Sequence, residues 1–249
     1  MEQRFVGKRV LLTGTGSGIG KATAKRFAAE GASVACLDIK GHDETAAEIA
    51  ASGGSAIADR CDVSDSADVE RAVNAAAEQL GGLDVACNIA GIGHFAHSHE
   101  EDPKAFDKIV AVNLNGTFYV CRYALPYLLE SGGVIVNTAS NSGLIGQPWS
   151  AAYCGSKGGV VNLTRALAYE YRAKGVRVVA VAPGGTNTAI QGSFSNFPEG
   201  GTFKDIAKIM SPIQMAEPEE IAAAFAYIAS PEARFITGSI LSIDGGLTC

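Results

Sequence analysis

Charged residues and long apolar runs are both scarce in this chain of 249 residues. Lys and Arg total 20 against 26 Asp and Glu, a formal charge of −6, so the chain lacks the basic excess that neutralises nucleic-acid phosphates. No apolar run approaches the roughly 18 residues that a membrane-spanning helix needs. The six cysteines are widely spaced, and none belongs to a CxxC pair of the kind that binds zinc. We therefore expect no nucleic-acid, membrane or metal partner.

The composition is that of a folded protein. Hydrophobic residues make up 47% of the chain and charged residues 18%, which is too apolar a balance for a disordered chain. The first residues lead directly into a strand-like segment and lack the apolar core of a secretory signal. Unpaired cysteines suit a reducing compartment. We expect a cytoplasmic protein.

Apolar, strand-like segments alternate with segments of helical period along almost the whole chain. Several of these strand-like segments are almost continuously apolar, as parallel strands are when helices cover both faces of the sheet. Strands that alternate with helices form right-handed βαβ units. The pattern therefore predicts an α/β fold with a doubly wound parallel sheet of seven strands, in a single domain over residues 1–249.

Two segments depart from the simple alternation. The long helix predicted over 103–129 contains Pro126, which we expect to kink or end it. The stretch 188–215 contains several glycines and prolines, Pro212 among them, and a loop of that length is typical of a lid. Its apolar residues indicate a substrate with a hydrophobic body, and they are Ile190, Phe194, Phe197, Phe203 and Met210.

A glycine-rich turn, Thr13-Gly14-Thr15-Gly16-Ser17-Gly18-Ile19-Gly20, follows the first strand. Glycines bring the backbone close to a pyrophosphate, and the helix that starts there presents unpaired N–H groups. The strict G-x-G-x-x-G spacing is absent, so the octapeptide alone is also compatible with a turn that binds no ligand. Asp38 ends the second strand, where a carboxylate accepts hydrogen bonds from a ribose 2′-hydroxyl and repels a 2′-phosphate. With no Arg after it, Asp38 favours NAD over NADP, although a plain strand-end residue is the alternative.

Tyr153 and Lys157 lie four residues apart in a predicted helix and therefore share one face. An ammonium favours the phenolate, so we expect Lys157 and a nicotinamide cation together to lower the pKa of Tyr153 from about 10. Tyr153 then takes a proton from an alcohol while hydride leaves its carbon, and Ser140 orients the same oxygen. The alternative, more common for an isolated Tyr-x3-Lys, is a surface pair.

Several short strings follow one another in a fixed order along the chain. They are Thr13-Gly14-x3-Gly18-Ile19-Gly20, Asp62-Val63, Asn88-x-Ala90-Gly91, Asn113, Ser140, Tyr153-x3-Lys157, Pro183-Gly184 and Asp244-Gly245-Gly246. Each string alone is weak, but all of them in order, over about residues 8 to 246, give the chain a specific resemblance to the short-chain dehydrogenase/reductase family. There are two departures. Ile89 stands where the family usually has a second Asn, and Gly185-Thr186 stand where an aliphatic residue is more usual.

The resemblance implies a Rossmann fold with strand order 3-2-1-4-5-6-7, in which the C-terminal strand ends form a cofactor crevice. Asp62 would meet the adenine and residues 183–188 the nicotinamide, with residues 88–91 on the ribose side. The implied cofactor-binding residues are Gly14, Ser17, Gly18, Ile19, Asp38, Asp62, Val63, Asn88, Ala90, Gly91, Tyr153, Lys157, Pro183, Gly184, Thr186 and Thr188.

The resemblance also adds Asn113, which in this family helps to hold a water beside the lysine. The catalytic set then comprises Asn113, Ser140, Tyr153 and Lys157. A homotetramer is implied as well, with interfaces from the helices after Tyr153 and after Pro218. The apolar face of residues 221–228 is compatible with such an interface and equally with burial inside one subunit.

The sequence thus predicts an oxidoreductase that transfers a hydride between NAD(H) and a secondary alcohol or ketone. One alternative is an NADPH-dependent reductase of 3-oxoacyl thioesters on acyl carrier protein, which Asp38 disfavours. Another is an inactive NAD(H)-binding scaffold or sensor, which the complete catalytic set disfavours. The same catalytic residues serve sugars, steroids, polyols and acyl thioesters, so they do not select the substrate.

Three further features have more than one explanation. His94, His97 and His99 fall in one loop, which is a solvated loop or an oligomer contact, a part of the substrate pocket or, least of all, a metal site. Cys154 has no recognisable His partner, so we expect it to be no nucleophile. Trp149 lies where the family builds its substrate pocket, and it either lines that pocket or packs in the core.

Overall fold

The computed structural model describes residues 3–210 and 213–248, and its regular elements follow the predicted alternation. The strands are β1 (Arg9–Thr13), β2 (Ser33–Asp38), β3 (Ser55–Arg60), β4 (Val85–Asn88), β5 (Val134–Thr138), β6 (Arg177–Pro183) and β7 (Ile240–Ile243). The α-helices are α1 (Gly18–Ala29), α2 (His42–Ala51), α3 (Ser66–Leu80), α4 (Pro103–Val110), α5 (Gly116–Ser131), α6 (Ala151–Tyr171), α7 (Ile190–Ser193), α8 (Phe203–Ile206) and α9 (Pro218–Ala229).

The strands form one parallel sheet in the order β3-β2-β1-β4-β5-β6-β7. This confirms the predicted doubly wound Rossmann fold and its strand order. The order reverses between β1 and β4, and in such sheets ligands bind outside the carboxyl ends of the strands at this switch point. The glycine-rich turn and Asp38 both lie at that edge, after β1 and at the end of β2.

Helices cover both faces of the sheet. In β1, Val10 and Leu12 pack in the layer that contains α1 and α9, whereas Leu11 packs in the layer of α3 and α5. All three side chains are fully buried. Because both faces are buried, the strands are continuously apolar rather than alternating, which is the pattern that predicted a parallel sheet.

The apolar face of α9 belongs to the interior of one subunit. Ile221 and Phe225 are 0% exposed and Ile228 is 1% exposed, in the same core layer as Phe27 of α1. Of the two explanations that the sequence allows for this face, burial inside the subunit is therefore the one found.

Pro126 does not end its helix. A π-helical turn (Ala111–Asn115) joins α4 to α5, and α5 continues past Pro126 to Ser131. A proline removes one helical hydrogen bond. The neighbouring side chains Leu125 and Leu128 are 6% and 0% exposed, so their packing offsets that loss.

The stretch 188–215 has more local structure than its composition suggests. It contains α7 and α8, and Thr202 with Asp205 forms a capping box at the start of α8. A bridge between Thr186 and Ala216 closes the base of the stretch. Pro212 lies outside the described residues.

The described cysteines are free thiols. Those in strands and helices of the core are buried, and Cys154 is half-buried, whereas Cys249 lies outside the described residues. Burial raises the pKa of the Cys36 thiol to about 12, so it stays protonated near neutral pH. None of the helices described here is both long and apolar enough to cross a membrane.

Candidate active site

The backbone of the glycine-rich turn lies so close to its neighbours that no residue with a side chain would fit at Gly14 or Gly20. Gly14 has φ +75°, and a Cβ on it would lie 2.6 Å from the backbone nitrogen of Ala90. A Cβ on Gly20 would lie 1.8 Å from the carbonyl oxygen of Gly14. Ser17 is the N-cap of α1 and makes no side-chain cap hydrogen bond. The first turn of α1 contains no acidic residue, so α1 presents the positive end of its dipole to the cleft.

Asp38 reaches into the turn from the end of β2. Its Oδ2 accepts a hydrogen bond from the Gly16 N–H (2.9 Å) and its Oδ1 accepts one from the Lys40 N–H (3.2 Å). The side chain of Lys40 is exposed and lines the same cleft. Neither Ile39 directly after Asp38 nor Ser17 in the turn is basic, so the local sequence did not reveal this cation two residues after Asp38.

A cleft of about 620 Å³ runs along the carboxyl ends of the strands. Every predicted cofactor-binding residue except Asn88 lines it: Gly14, Ser17, Gly18, Ile19, Asp38, Asp62, Val63, Ala90, Gly91, Tyr153, Lys157, Pro183, Gly184, Thr186 and Thr188. Asn88 lies behind the wall, where its amide nitrogen donates to Asn137 Oδ1 (2.8 Å) and to Cys121 Sγ (3.4 Å). Asn88 therefore holds β4 against β5 with its side chain.

Ser140 and Tyr153 meet in the cleft. The Ser140 hydroxyl accepts a hydrogen bond from the Ser142 N–H (3.1 Å), which fixes it at the start of the short 3₁₀ turn (Asn141–Gly143). Burial raises the pKa of Tyr153, and the hydrogen bond with Ser140 partly opposes this rise. The direction is opposite to the lowering that the sequence analysis expects, because in the protein alone the cost of burying a phenolate is the larger effect.

Lys157 is 3% exposed and lies one helical turn from Tyr153 on α6. Its Nζ donates to the carbonyl oxygen of Thr138 (2.7 Å) and lies 5.9 Å from the centre of the Tyr153 ring. Burial lowers the pKa of Lys157 to about 8. The ammonium is thus poised to lose its proton near physiological pH.

Asn113 lies in the π-helical turn and does not line the cleft. Its Nδ2 donates to the Ile92 carbonyl (2.9 Å) and to Ser156 Oγ (3.1 Å), and its Oδ1 accepts from the Ile92 N–H (2.9 Å). A Cβ built on Gly91 would lie 3.4 Å from Asn113 Oδ1 and 3.5 Å from Lys157 Nζ. Asn113 and Lys157 therefore approach one point, and Gly91 leaves that point open.

Aromatic rings cover the cleft beside Tyr153. The Phe194 ring packs edge-on to Tyr153 (5.3 Å between centroids) and to Phe95 (5.1 Å). Trp149 has φ +59° and packs against Phe95 (5.7 Å) and Phe197 (5.6 Å), behind the residues that line the cleft. Phe95 was not predicted as a site residue, and only its position after β4 could have indicated it.

The histidine loop contacts other parts of the chain. His94 Nε2 lies 2.9 Å from Glu101 Oε1, and His97 Nε2 lies 2.8 Å from the carbonyl oxygen of Glu199 in the stretch 188–215. His99 is mostly exposed, and its ring stacks on that of His97. The loop therefore contacts the stretch 188–215.

Comparisons with known proteins cover nearly the whole chain. A family profile described as Enoyl-(Acyl carrier protein) reductase matches residues 14–248. Among curated proteins, the chain is 41% identical over 250 residues to meso-2,3-butanediol dehydrogenase of Serratia marcescens, covering 98% of this chain and 96% of that protein.

Solved structures are similar over the same extent. A short chain dehydrogenase from Burkholderia cenocepacia J2315 in complex with NADP has a TM-score of 0.89 and 34% identity, covering 99% of this chain and 100% of that one. A 3-ketoacyl-(acyl-carrier-protein) reductase from Brucella melitensis complexed with NADH has a TM-score of 0.86 and 37% identity, covering 98% and 99%.

The buried ammonium of Lys157 leads to a prediction about stability. The unfolded chain binds this proton below about pH 10.5, whereas the folded chain binds it only below about 8, so burial destabilises the fold as the pH falls through this window. Below about pH 8 the loss of stability caused by burying the Lys157 ammonium has reached its full size. We expect Lys157→Met to stabilise the protein by about 2 kcal/mol near pH 7, after allowing for the unpaired Thr138 carbonyl.

Urea unfolding at about pH 7 and about pH 10 measures this effect, and the gain should shrink at the higher pH. Lys104→Met, at an exposed position of α4, is the control and should change little at either pH. A Lys157→Met variant that is less stable than the parent at neutral pH would show that the bond to Thr138 outweighs the burial of the charge.

Proposed function

The chain belongs to the short-chain dehydrogenase/reductase family, and from this premise we propose that it transfers a hydride between NAD(H) and a secondary alcohol or ketone. The observation that carries the proposal is the meeting of Ser140, Tyr153 and Lys157 in one cleft whose other end is the glycine-rich turn. The similarity to meso-2,3-butanediol dehydrogenase supports a CH–OH substrate. The 3-oxoacyl thioester alternative is not favoured, because the curated relative with 41% identity acts on a diol.

The residues of the cleft fit a nicotinamide dinucleotide. Gly91 leaves open space that a Cβ would fill, Gly14 lets the turn pack against the backbone of Ala90, and the N-terminus of α1 offers N–H groups to a pyrophosphate. Asp38 and Asp62 line the end of the cleft proposed for the adenosine. When bound, such a cofactor supplies the acceptor or donor of the hydride.

In the proposed mechanism Tyr153 moves the proton at its phenolic oxygen, and Ser140 holds the substrate oxygen in line with it. Burial in the protein keeps Tyr153 protonated, which suits protonation of a carbonyl oxygen during reduction. For oxidation the phenol must lose its proton. Lys157 assists by its positive charge, and the open point beside Gly91 lets Asn113 and Lys157 share a water that carries the proton out.

Replacement of Tyr153 by Phe tests this mechanism. Because it removes only the hydroxyl, we expect turnover of an accepted alcohol to fall by at least about 10²-fold, with cofactor affinity nearly unchanged. Tyr127→Phe is the matched control, since Tyr127 lies on α5 and does not line the cleft. Initial rates and nicotinamide fluorescence titrations measure the two properties. Wild-type turnover in the Tyr153→Phe variant would refute the assignment of Tyr153 as the proton donor and acceptor. If the wild-type protein bound the cofactor tightly but turned over no alcohol or ketone of a broad panel, the protein would be an inactive NAD(H)-binding scaffold or sensor.

The preference for NAD rests on the carboxylate of Asp38, which faces the position where NADP carries its 2′-phosphate. Lys40 is the opposing observation, because an exposed ammonium in the same cleft attracts a phosphate. Asp38 is already held by the Gly16 and Lys40 N–H groups, so its charge is fixed in place. Because the carboxylate of Asp38 is fixed and the ammonium of Lys40 is exposed, we expect the repulsion by Asp38 to outweigh the attraction by Lys40, which favours NAD.

Separate fluorescence titrations with NADH and NADPH test the preference. We expect NADH to bind at least about tenfold more tightly, and Asp38→Asn to narrow that ratio because it removes the repulsion. Asp43→Asn, at an exposed position of α2, is the control. A wild-type preference for NADPH that Lys40→Met abolishes would mean that Lys40 binds the 2′-phosphate and that the NAD assignment is wrong.

We also propose that residues 188–215 form a lid over the substrate. Ile190, Phe194 and Met210 of this stretch line the cleft, although Phe197 and Phe203 do not. The bridge between Thr186 and Ala216 ties its base to the sheet edge, and the contact from His97 to the Glu199 carbonyl ties its far side to the histidine loop. The proposed lid is therefore held at two points, one at its base and one at the histidine loop.

A homotetramer is the proposed assembly. Tyr169 on α6 is 72% exposed and Tyr227 on α9 is 42% exposed, which suits interfaces on these two helices. We expect light scattering coupled to size exclusion to give about four times the chain mass of 25.6 kDa. Tyr169→Glu should reduce the mass by breaking an interface, whereas a wild type that elutes as a monomer would reject the assembly.

A further inference from the structure

Gln147 is a polar side chain on the cleft wall that the proposed reaction does not use. It lies between the 3₁₀ turn and α6, and it lines the cleft together with Ser140 and Tyr153. The Ser142 hydroxyl donates a short hydrogen bond to Gln147 Oε1. The Ser142 N–H donates to the Ser140 hydroxyl (3.1 Å). Ser142 therefore fixes both the hydroxyl that orients the reacting oxygen and the amide of Gln147.

The orientation of this amide leaves a donor without a partner. With Oε1 occupied by Ser142, the amide nitrogen Nε2 points away from that bond, and no acceptor in the described residues contacts it. Gln147 is half-buried on the wall of the cleft. A donor in such a place is satisfied by an acceptor on whatever molecule occupies the cleft.

In the described part of the chain, the two segments that form the wall around Gln147 contribute no charged side chain to the cleft. Among the described residues, no Asp, Glu, Lys or Arg of segments 139–153 and 183–215 lines the cleft. The apolar part of this wall comes from side chains such as Phe194, Ile190, Ile206 and Met210. The cations Lys108 and Lys157 line the cleft from α4 and α6, and the Thr138 carbonyl already accepts a hydrogen bond from Lys157. An anionic group held against the wall that carries Gln147 would lose hydration, and the described residues of that wall offer no cation to pair with it.

We propose that the substrate is an uncharged ketone or alcohol with an apolar body and a second oxygen, and that this oxygen accepts a hydrogen bond from Gln147 Nε2. The inference rests on the proposed alcohol–ketone function of Ser140 and Tyr153. It makes Gln147 a specificity-determining residue, and Ser142 a positioning residue that acts through it.

Three ketones of similar size separate the features of this proposal. They are 1-phenylpropane-1,2-dione, propiophenone, which lacks the second oxygen, and benzoylformate, in which a carboxylate replaces the acetyl group of the dione. We expect wild-type kcat/KM to be highest for the dione and lowest for benzoylformate, with either NADH or NADPH as reductant. A dione is also intrinsically easier to reduce than propiophenone. The test of the proposal is therefore how a mutation changes the ratio of kcat/KM for the dione to kcat/KM for propiophenone, and not the wild-type value of that ratio.

Gln147→Met keeps the length of the side chain and removes the donor. We expect it to lower kcat/KM for the dione by about five- to tenfold, and to leave propiophenone within about twofold, as for loss of one hydrogen bond. Ser142→Ala frees the amide and should produce a smaller loss of the same kind. Gln214→Met is the control, because Gln214 is exposed and does not line the cleft.

Each contrary result overturns the proposal. Equal losses for the dione and propiophenone in Gln147→Met would mean a structural role. Gln191 also lines the cleft, and a selective loss found only in a Gln191→Met variant would assign the donor to that amide. Preferred reduction of benzoylformate, or no turnover of any of the three ketones by the wild type, would also refute it. Parallel assays on a broad panel of neutral alcohols and ketones show whether the proposed function itself has failed.

Discussion

The proposed active site depends on a close approach between the 3₁₀ turn after β5 and the backbone of α6. A Cβ on Gly143 would lie 2.6 Å from the carbonyl carbon of Lys157, so only glycine lets the turn rest on the helix at this point. The turn carries Ser140, and the helix carries Tyr153 one turn before Lys157. Without this contact the two elements would separate, and the serine would no longer reach the phenol. The absence of a side chain at Gly143 is therefore as necessary for the proposed chemistry as the side chains of Ser140 and Tyr153.

Burial acts in opposite directions on the two titrating groups of the site. It raises the pKa of Tyr153 and lowers that of Lys157 to about 8, because in both cases it disfavours the charged form. The protein alone therefore favours a neutral phenol beside an ammonium that releases its proton easily. The sequence could indicate that Tyr153 and Lys157 lie together, but not this balance, since burial depends on the elements packed over α6.

What the sequence could predict follows from how local each feature is. The glycine-rich turn with Gly14 is a local feature that the sequence displays directly, and the alternation of strands and helices predicted the parallel sheet, whereas the strand order came from the family resemblance. The side chain of Asn88 turns away from the cleft to bond with Asn137, a partner on the neighbouring strand that the local sequence does not reveal. Lys40 was missed because the backbone curls around Asp38, which brings the second residue after it into the cleft.

The distribution of charge divides the cleft into two parts. Asp38, Lys40 and Asp62 lie where parallel strands and the N-terminus of α1 leave polar groups facing outward. The segments 139–153 and 183–215 contribute only neutral groups to the other part, in which Lys157 of α6 is a buried cation. A charged group is well solvated in the first part and poorly solvated in the second, so one molecule that is charged at one end and neutral at the other binds in a single orientation. The same division places a free amide donor, that of Gln147, where neutral oxygen is the acceptor that it can bind.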